Sequence, residues 1–414
     1  AQAGYRPAPE NLLSRSQFAD CRFGIFLHWG LYAMLAQGEW AMTNHNLNYR
    51  EYEKLAGGFY PSKFDADAWA EAFRQAGARY VCFTTRHHDG FSMFRTAQTP
   101  YNIVDATPFA RDAVKELADA CHRRGLRVHF YYSLIDWWRE DAPRGRTGLG
   151  TGRPAEKADA YFDFMKAQLT ELLTQYGNVG AIWFDGIWDQ DENPGFDWRL
   201  GELYGLIHKL QPGCLIINNH HLAPFEGEDA QAFERDLPGE NTAGYSGQEI
   251  SRLPLETCQT MNGMWGYKIT DQNYKSAQTL VRYLAGAAGR GANLLLNIGP
   301  QPDGALPAAA LERLDSMGRW LRANGETIYG TQAGPVSPRS WGVTTRRGDK
   351  IYVHILDWPD EELFVPVRDE RIRRAVRFAD KRAVAFSQDK AGVTLRLGEK
   401  PAGADCLVEL TVGQ

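Results

Sequence analysis

The residues of this chain that could do chemistry recur at one kind of place, the point where an apolar run stops. VGAIWFDG (179–186) ends on Asp185 and Gly186, and RFGIFLHWG (22–30) ends on His28 and Trp29. RYVCFTTRHHDG (79–90) closes with His87, His88 and Asp89, and LRVHFYYS (126–133) with Tyr131 and Tyr132. CLIINNHH (214–221) stops on His220 and His221, and PLETCQTMNG (254–263) carries Glu256, with Trp265 shortly after. A single Asp-Gly pair at a strand end is ordinary turn chemistry. Six apolar runs that each stop on polar or aromatic side chains ask for another explanation, a shared pocket.

Such a pocket, rich in hydrogen-bonding groups and indoles and poor in cations, suits a sugar. Tryptophan faces complement the C–H faces of a sugar ring, while His, Tyr and Glu bind several hydroxyls. One carboxylate at a strand end and a second on a loop give the pair that a glycosidase needs. Metal-assisted hydrolysis is the rival, since His87, His88, Asp89, Asp185 and His220 are ligand types. The chain has no HxH or HExxH, and adjacent histidines on a straight strand point to opposite faces, so neither metal nor cofactor is expected. The second carboxylate is open on these grounds. The stretch 223–258 offers Glu226, Glu228, Glu234, Glu240, Glu249 and Glu256, of which a strand-end position favours Glu256.

The elements that must hold this pocket follow from periodicity. Between the strand-like runs lie segments with helical apolar spacing. DADAWAEAFRQAG (65–77) and RDAVKELADACHRRG (111–125) are both closed by Gly, and DWRLGELYGLIHKLQPG (197–213) is stopped by Pro-Gly. Near-continuous apolar strands belong to a parallel sheet buried on both faces. Seven β–α repeats over about 330 residues favour a (β/α)8 TIM barrel over an open doubly wound sheet. No Gly-rich turn follows the first strand, against a dinucleotide site. In a barrel, the C-terminal strand ends converge on the active site, which answers the question of the shared pocket. The eighth strand has one short candidate, ETIYG (326–330).

After about residue 333 the pattern changes to period-2 alternation. SWGVTTRRGDKIYVHILDW (340–358) and RAVAFSQDKAGVTLRLG (382–398) read as hairpins, and CLVELTVG (406–413) as a further strand. The expected division is a barrel over residues 1–332 and a small antiparallel C-terminal β-sandwich over 333–414.

Composition sets outer bounds. With 43% hydrophobic and 23% charged residues, the chain of 414 can bury a large core. A net charge of -5 argues against nucleic acid or an anionic membrane as partner. Six widely separated cysteines without CxxC do not suggest a disulfide framework. The start, AQAGYRPAPENLL, lacks an initiator Met and reads as a trimmed end, which gives the expectation of a secreted or periplasmic protein.

RFGIFLHWG, GEW, RHHDGFSMF, WFDG, PLETCQTMNGMWGY and LLLNIGP, in this order between about residues 20 and 330, resemble the sequence blocks of the α-L-fucosidases of glycoside hydrolase family 29. The resemblance implies a (β/α)8-like barrel with a C-terminal β-sandwich. It also implies metal-free hydrolysis of terminal α-L-fucose, with retention, from fucosylated oligosaccharides or glycoconjugates. Asp185 matches the family's nucleophile. His28, Glu39, Trp40, His87, His88 and Tyr131 match positions that bind the fucose hydroxyls. Trp265 matches an aromatic lining the sugar's apolar side and methyl group. His220, in NNH, lies where many members have an Asn-Asp-Arg run ending in a sugar-binding arginine, and is taken as substrate-binding. EDAQAFE resembles a DF-x-T-P-E segment, which assigns the general acid/base to Glu234, with Glu256 and Glu240 as alternatives. A glycan-binding protein without catalysis is the alternative of a different class, and the presence of Asp185 and the loop glutamates speaks against it.

Overall fold

The computed structural model describes residues 2–154, 158–358, 360–400 and 406–413. Eight parallel strands form its centre: β1 Phe23–Leu27, β2 Tyr80–Arg86, β3 Arg127–Ser133, β4 Ala181–Asp185, β5 Leu215–Asn219, β6 Gln231–Glu234, β7 Leu255–Thr260 and β8 Ala292–Ile298. Their order is β5-β4-β3-β2-β1-β8-β7-β6, with β1 paired to both β2 and β8. All residues of β1, β2, β5 and β8 are buried, as the unbroken apolar runs required. Helices cover the outside, and several start on a side chain that takes up a free backbone N–H. Asp65 accepts from Ala68, Asp112 from Lys115, and Ser276 from Thr279.

β5 and β6 close the barrel without a strand ladder. The Asp229 backbone N–H donates to the Ile216 carbonyl, and the Ile216 N–H donates to the Asp229 carboxylate, both at 2.8 Å. A side-chain oxygen thus takes the place of a strand carbonyl. Tyr5, Arg15 and His208 fix that carboxylate, each at 2.7 Å.

The eighth strand is therefore β6, not ETIYG, whose residues start in the 3₁₀ turn Gly325–Thr327. β6 has four residues and no helix on either side of it, so it lacked both the length and the alternation by which the other strands were read.

The C-terminal part forms a five-stranded sheet, β13-β16-β11-β10-β9, and a three-stranded one, β12-β15-β14. These strands are β9 Gln332–Ala333, β10 Gly342–Arg347, β11 Lys350–Ile355, β12 Glu362–Val365, β13 Ile372–Arg377, β14 Ala385–Gln388, β15 Val393–Arg396 and β16 Cys406–Val412. Both hairpins form antiparallel pairs, β10 with β11 and β14 with β15. The strands β9, β12 and β13 were not anticipated. They are short, and an isolated alternation of that length is indistinguishable from loop. The sheets have their own apolar core, including Ile351, Val353, Val365, Val393 and Leu410. Gly289 lets the last turn of the helix Ala277–Gly289 press against Val343, which a Cβ there would meet at 2.3 Å. Cys82, Cys214 and Cys258 are buried small hydrophobes. No helix among the described residues is long and apolar enough to cross a membrane.

Candidate active site

At the C-terminal ends of the barrel strands lies a cavity of about 500 Å³. A larger open depression of about 650 Å³, beside Arg79, Arg127 and Tyr329, is bordered by the N-terminal strand starts and holds none of the groups read as chemical. Strand-end chemistry in barrels belongs to the C-terminal face.

Asp185 is the last residue of β4, and Gly186, at φ 109, turns the chain away behind it. The Tyr131 hydroxyl donates to Asp185 Oδ2 at 2.9 Å, and Trp188 Nε1 and Asn219 Nδ2 each reach Oδ1 at 3.4 Å. His88 Nε2 stands 3.5 Å from Oδ2. Burial pushes this carboxyl up, but the bonds from His88 and Tyr131 and the His88 charge outweigh it and hold Asp185 below the ordinary range. It is an ionised, aimed carboxylate.

The neighbouring tyrosines divide as a strand's period of two demands. Tyr131 faces the cleft, while the Tyr132 hydroxyl donates to Gln168 on a covering helix. His87 and His88 both face the cleft because β2 has ended at Arg86 and the chain turns, Gly90 N–H donating to the His87 carbonyl. Their ring centroids are 4.2 Å apart. The Ser133 hydroxyl donates to the Ile135 carbonyl, so it accepts from His88 Nδ1 at 2.6 Å. His87 lies flat on Tyr131, 5.2 Å between centroids, and burial pushes it well below the ordinary imidazole range. Among the described residues, no three His, Cys, Asp or Glu side chains are grouped to hold a metal ion.

The remaining wall comes from loops. Glu39 is buried and accepts from the Gly266 N–H at 2.7 Å, which ties its loop to the one carrying Trp265. Burial raises the Glu39 carboxyl. Trp40 stacks on Trp188, 5.7 Å between centroids, and sets its edge against His88. Trp265 packs beside His28, with the Arg235 guanidinium over its ring. His28 Nδ1 is 2.6 Å from Asn297 Oδ1.

Glu234 ends β6 and borders the cavity. Its Oε1 accepts from Asn219 Nδ2 at 2.9 Å and lies 3.8 Å from His221 Nε2. Glu256 does not end a strand. It is the second residue of β7, sealed inside the barrel, accepting from the Tyr80 hydroxyl at 2.7 Å and from Trp183 Nε1 at 2.8 Å. The strand was placed correctly, but its start was mistaken for its end. Glu240 pairs outside the cavity with Arg290.

His220 borders the cavity, but both ring nitrogens are taken. Nε2 bonds Glu228 at 2.7 Å, and Nδ1 accepts from the Leu222 N–H. Its neighbour His221, at φ 63, faces Glu234 instead. Asn219, His221, Trp188 and Arg235 line the cavity and were not singled out as site residues. The sequence marks His221 as a strand-end residue without giving it a role, and Trp188, three residues past Asp185, also carries a readable signal.

A barrel whose strand ends gather two carboxylates, imidazoles and indoles is the arrangement of a glycoside hydrolase. The α-L-fucosidase family model matches residues 1–326, and the chain belongs to the α-L-fucosidase family, whose members are glycoside hydrolases. The plasma α-L-fucosidase of Rattus norvegicus is 30% identical over 398 residues, covering 86% of this chain and 81% of that protein. α-L-Fucosidase isoenzyme 1 from Paenibacillus thiaminolyticus is 35% identical, with a TM-score of 0.87 over 98% of this chain and 100% of that one. A Bacteroides thetaiotaomicron α-L-fucosidase of family GH29, trapped as a covalent intermediate with 2-fluoro-fucosyl fluoride, is 25% identical with a TM-score of 0.85, covering 100% of this chain and 98% of that one.

Proposed function

We propose that this fucosidase is a retaining exo-enzyme, which removes terminal α-L-fucose from oligosaccharides or glycoconjugates by double displacement. Asp185 is the nucleophile and Glu234 the general acid/base. The observation that carries the reading is Asn219, whose one amide nitrogen reaches Asp185 Oδ1 at 3.4 Å and Glu234 Oε1 at 2.9 Å. Those oxygens are no farther apart than the two distances laid end to end. That limit on the facing oxygens is compatible with the about 5–5.5 Å between the carboxyl groups of a retaining pair and supports it over the about 6.5–9.5 Å of an inverting one.

In the first step Asp185 attacks the anomeric carbon from the β face while Glu234 gives its proton to the departing oxygen. The product is a β-fucosyl ester. In the second, Glu234 takes a proton from water, which displaces Asp185 and restores the α configuration. His28, His87, His88, Glu39, Trp40 and Tyr131 hold the fucose hydroxyls, and Trp265 covers the apolar side and methyl group. His220 acts on this set only through the backbone it fixes. The name of the rat relative, a plasma protein, supports export of this chain. β9, already part of the C-terminal sheet, supports a division near residues 332 and 333.

Proton NMR of the first product from an aryl α-L-fucoside tests the mechanism. α-Fucose formed first, with activity kept in EDTA, is the expected result. β-Fucose formed first would end the double displacement, and activity lost to EDTA but restored by zinc would replace it with metal-assisted hydrolysis.

A further inference from the structure

One buried amide links two walls of the cleft. Asn297, on β8, sets Oδ1 2.6 Å from His28 Nδ1, and its Nδ2 donates to the Trp265 carbonyl at 2.7 Å. A backbone carbonyl only accepts, so the nitrogen of this amide must be the atom facing Trp265 and the oxygen the atom facing His28. An amide oxygen also only accepts, so the proton on that side belongs to His28 Nδ1. The lone pair is then on Nε2, the edge of the ring left for a ligand in the cavity that His28 lines.

We propose that Asn297 is a positioning residue that presents His28 to the sugar as a hydrogen-bond acceptor and pins the Trp265 backbone with the same amide. The inference rests on reading this cavity as the fucose site. It adds a demand on the substrate. The hydroxyl that meets His28 must donate its own proton, so a methyl ether or a fluorine at that position is refused.

The surroundings keep the ring in this state. The ionisable groups around it are His87 and His88 beyond β2, Tyr131 of β3 and Asp185 of β4. Burial outweighs their effect and pushes the imidazole down to about 4. Above that pH, His28 is neutral, and Asn297 decides which nitrogen bears its one proton.

Two measurements test this. In the full-length protein labelled with ¹⁵N-histidine, His28 at pH 7 should give the pattern of a protonated Nδ1 and a bare Nε2; an Nε2–H pattern overturns the proposal. This reading needs no catalysis, so it stands or falls apart from the proposed function, which fails separately if no aryl fucoside is cleaved. In Asn297→Asp the carboxylate still accepts from Nδ1, but its charge favours the imidazolium, and Nε2 becomes a donor as the pH falls. KM for an aryl α-L-fucoside should then rise about tenfold from pH 7 to pH 5 relative to the parent, with kcat changed less. A KM ratio that is flat with pH overturns the proposal. If the variant does not fold, the NMR measurement on the parent protein decides alone.

Discussion

The rim of the barrel and its interior hold the same chemical group in opposite conditions. At the rim, Asp185 is partly exposed, stands beside His88 and accepts from Tyr131, and it is held below the ordinary range. Inside, Glu256 has two neutral donors, Tyr80 and Trp183, and no cation, and burial drives it up to about 7. A general acid needs a raised value, so Glu256 is the glutamate that a search for perturbed groups would select. It has no path to a sugar. A shifted carboxyl reports its counter-charges and burial, whereas a role needs access, and here Glu234 has the access. The interior still serves the rim. Glu256 fixes Trp183, on which Tyr131 stacks at 5.6 Å, and Tyr131 holds Asp185.

The largest effect expected from this contrast is at Asp185. Asp185→Asn should lower kcat/KM for an aryl fucoside by roughly 10⁴-fold or more while the melting temperature stays nearly unchanged. Unfolding with specific activity retained would make the residue a turn former.

Glu234→Ala should cost roughly 10²- to 10⁴-fold on natural glycans and much less on activated aryl fucosides, whose leaving group departs with little protonation. Azide should restore turnover and yield β-fucosyl azide. Were Glu256→Ala the variant rescued by azide, the rim and the interior would have to exchange roles.

Glu256→Gln sharpens the contrast through pH. The folded carboxyl titrates near 7 and the unfolded one near 4.3, so between those values the folded state binds the extra proton and stability falls as pH rises. The penalty is complete above pH 7 and of order 3 kcal/mol. Melting curves should therefore show Glu256→Gln gaining on the parent from pH 5 to pH 8, with turnover only modestly altered. An equal difference at both pH values would mean that Glu256 is already ionised in the folded protein at pH 5 and is not raised by its burial.

The smallest effect on activity is expected at His220. His220→Ala removes the bond to buried Glu228 and should lower stability by about 1–3 kcal/mol while KM stays within about twofold. A large rise in KM with unchanged melting would return His220 to the sugar.

Patterning alone disclosed the alternation of helices and strands, the antiparallel C-terminal region, and most of the strand ends that carry the site. These features are periodic or local, and a period of two or 3.6 is written into consecutive residues. That is why Asp185 and His28 could be placed at one rim from the sequence, whereas the choice of Tyr131 over Tyr132 came from the family resemblance. Three matters were settled only by the tertiary structure. β6 is a strand because a closing barrel needs one there and Asp229 bridges its seam, not because QAFE prefers to be extended. Glu234 and Glu256 were separated by where their strands begin and end, a boundary that propensity fixes least well. His220 was claimed by Glu228 and Asn297 by His28, through bonds spanning 8 and 269 residues of sequence. Which donor finds which acceptor depends on how the whole chain packs, and no short stretch of residues contains that information.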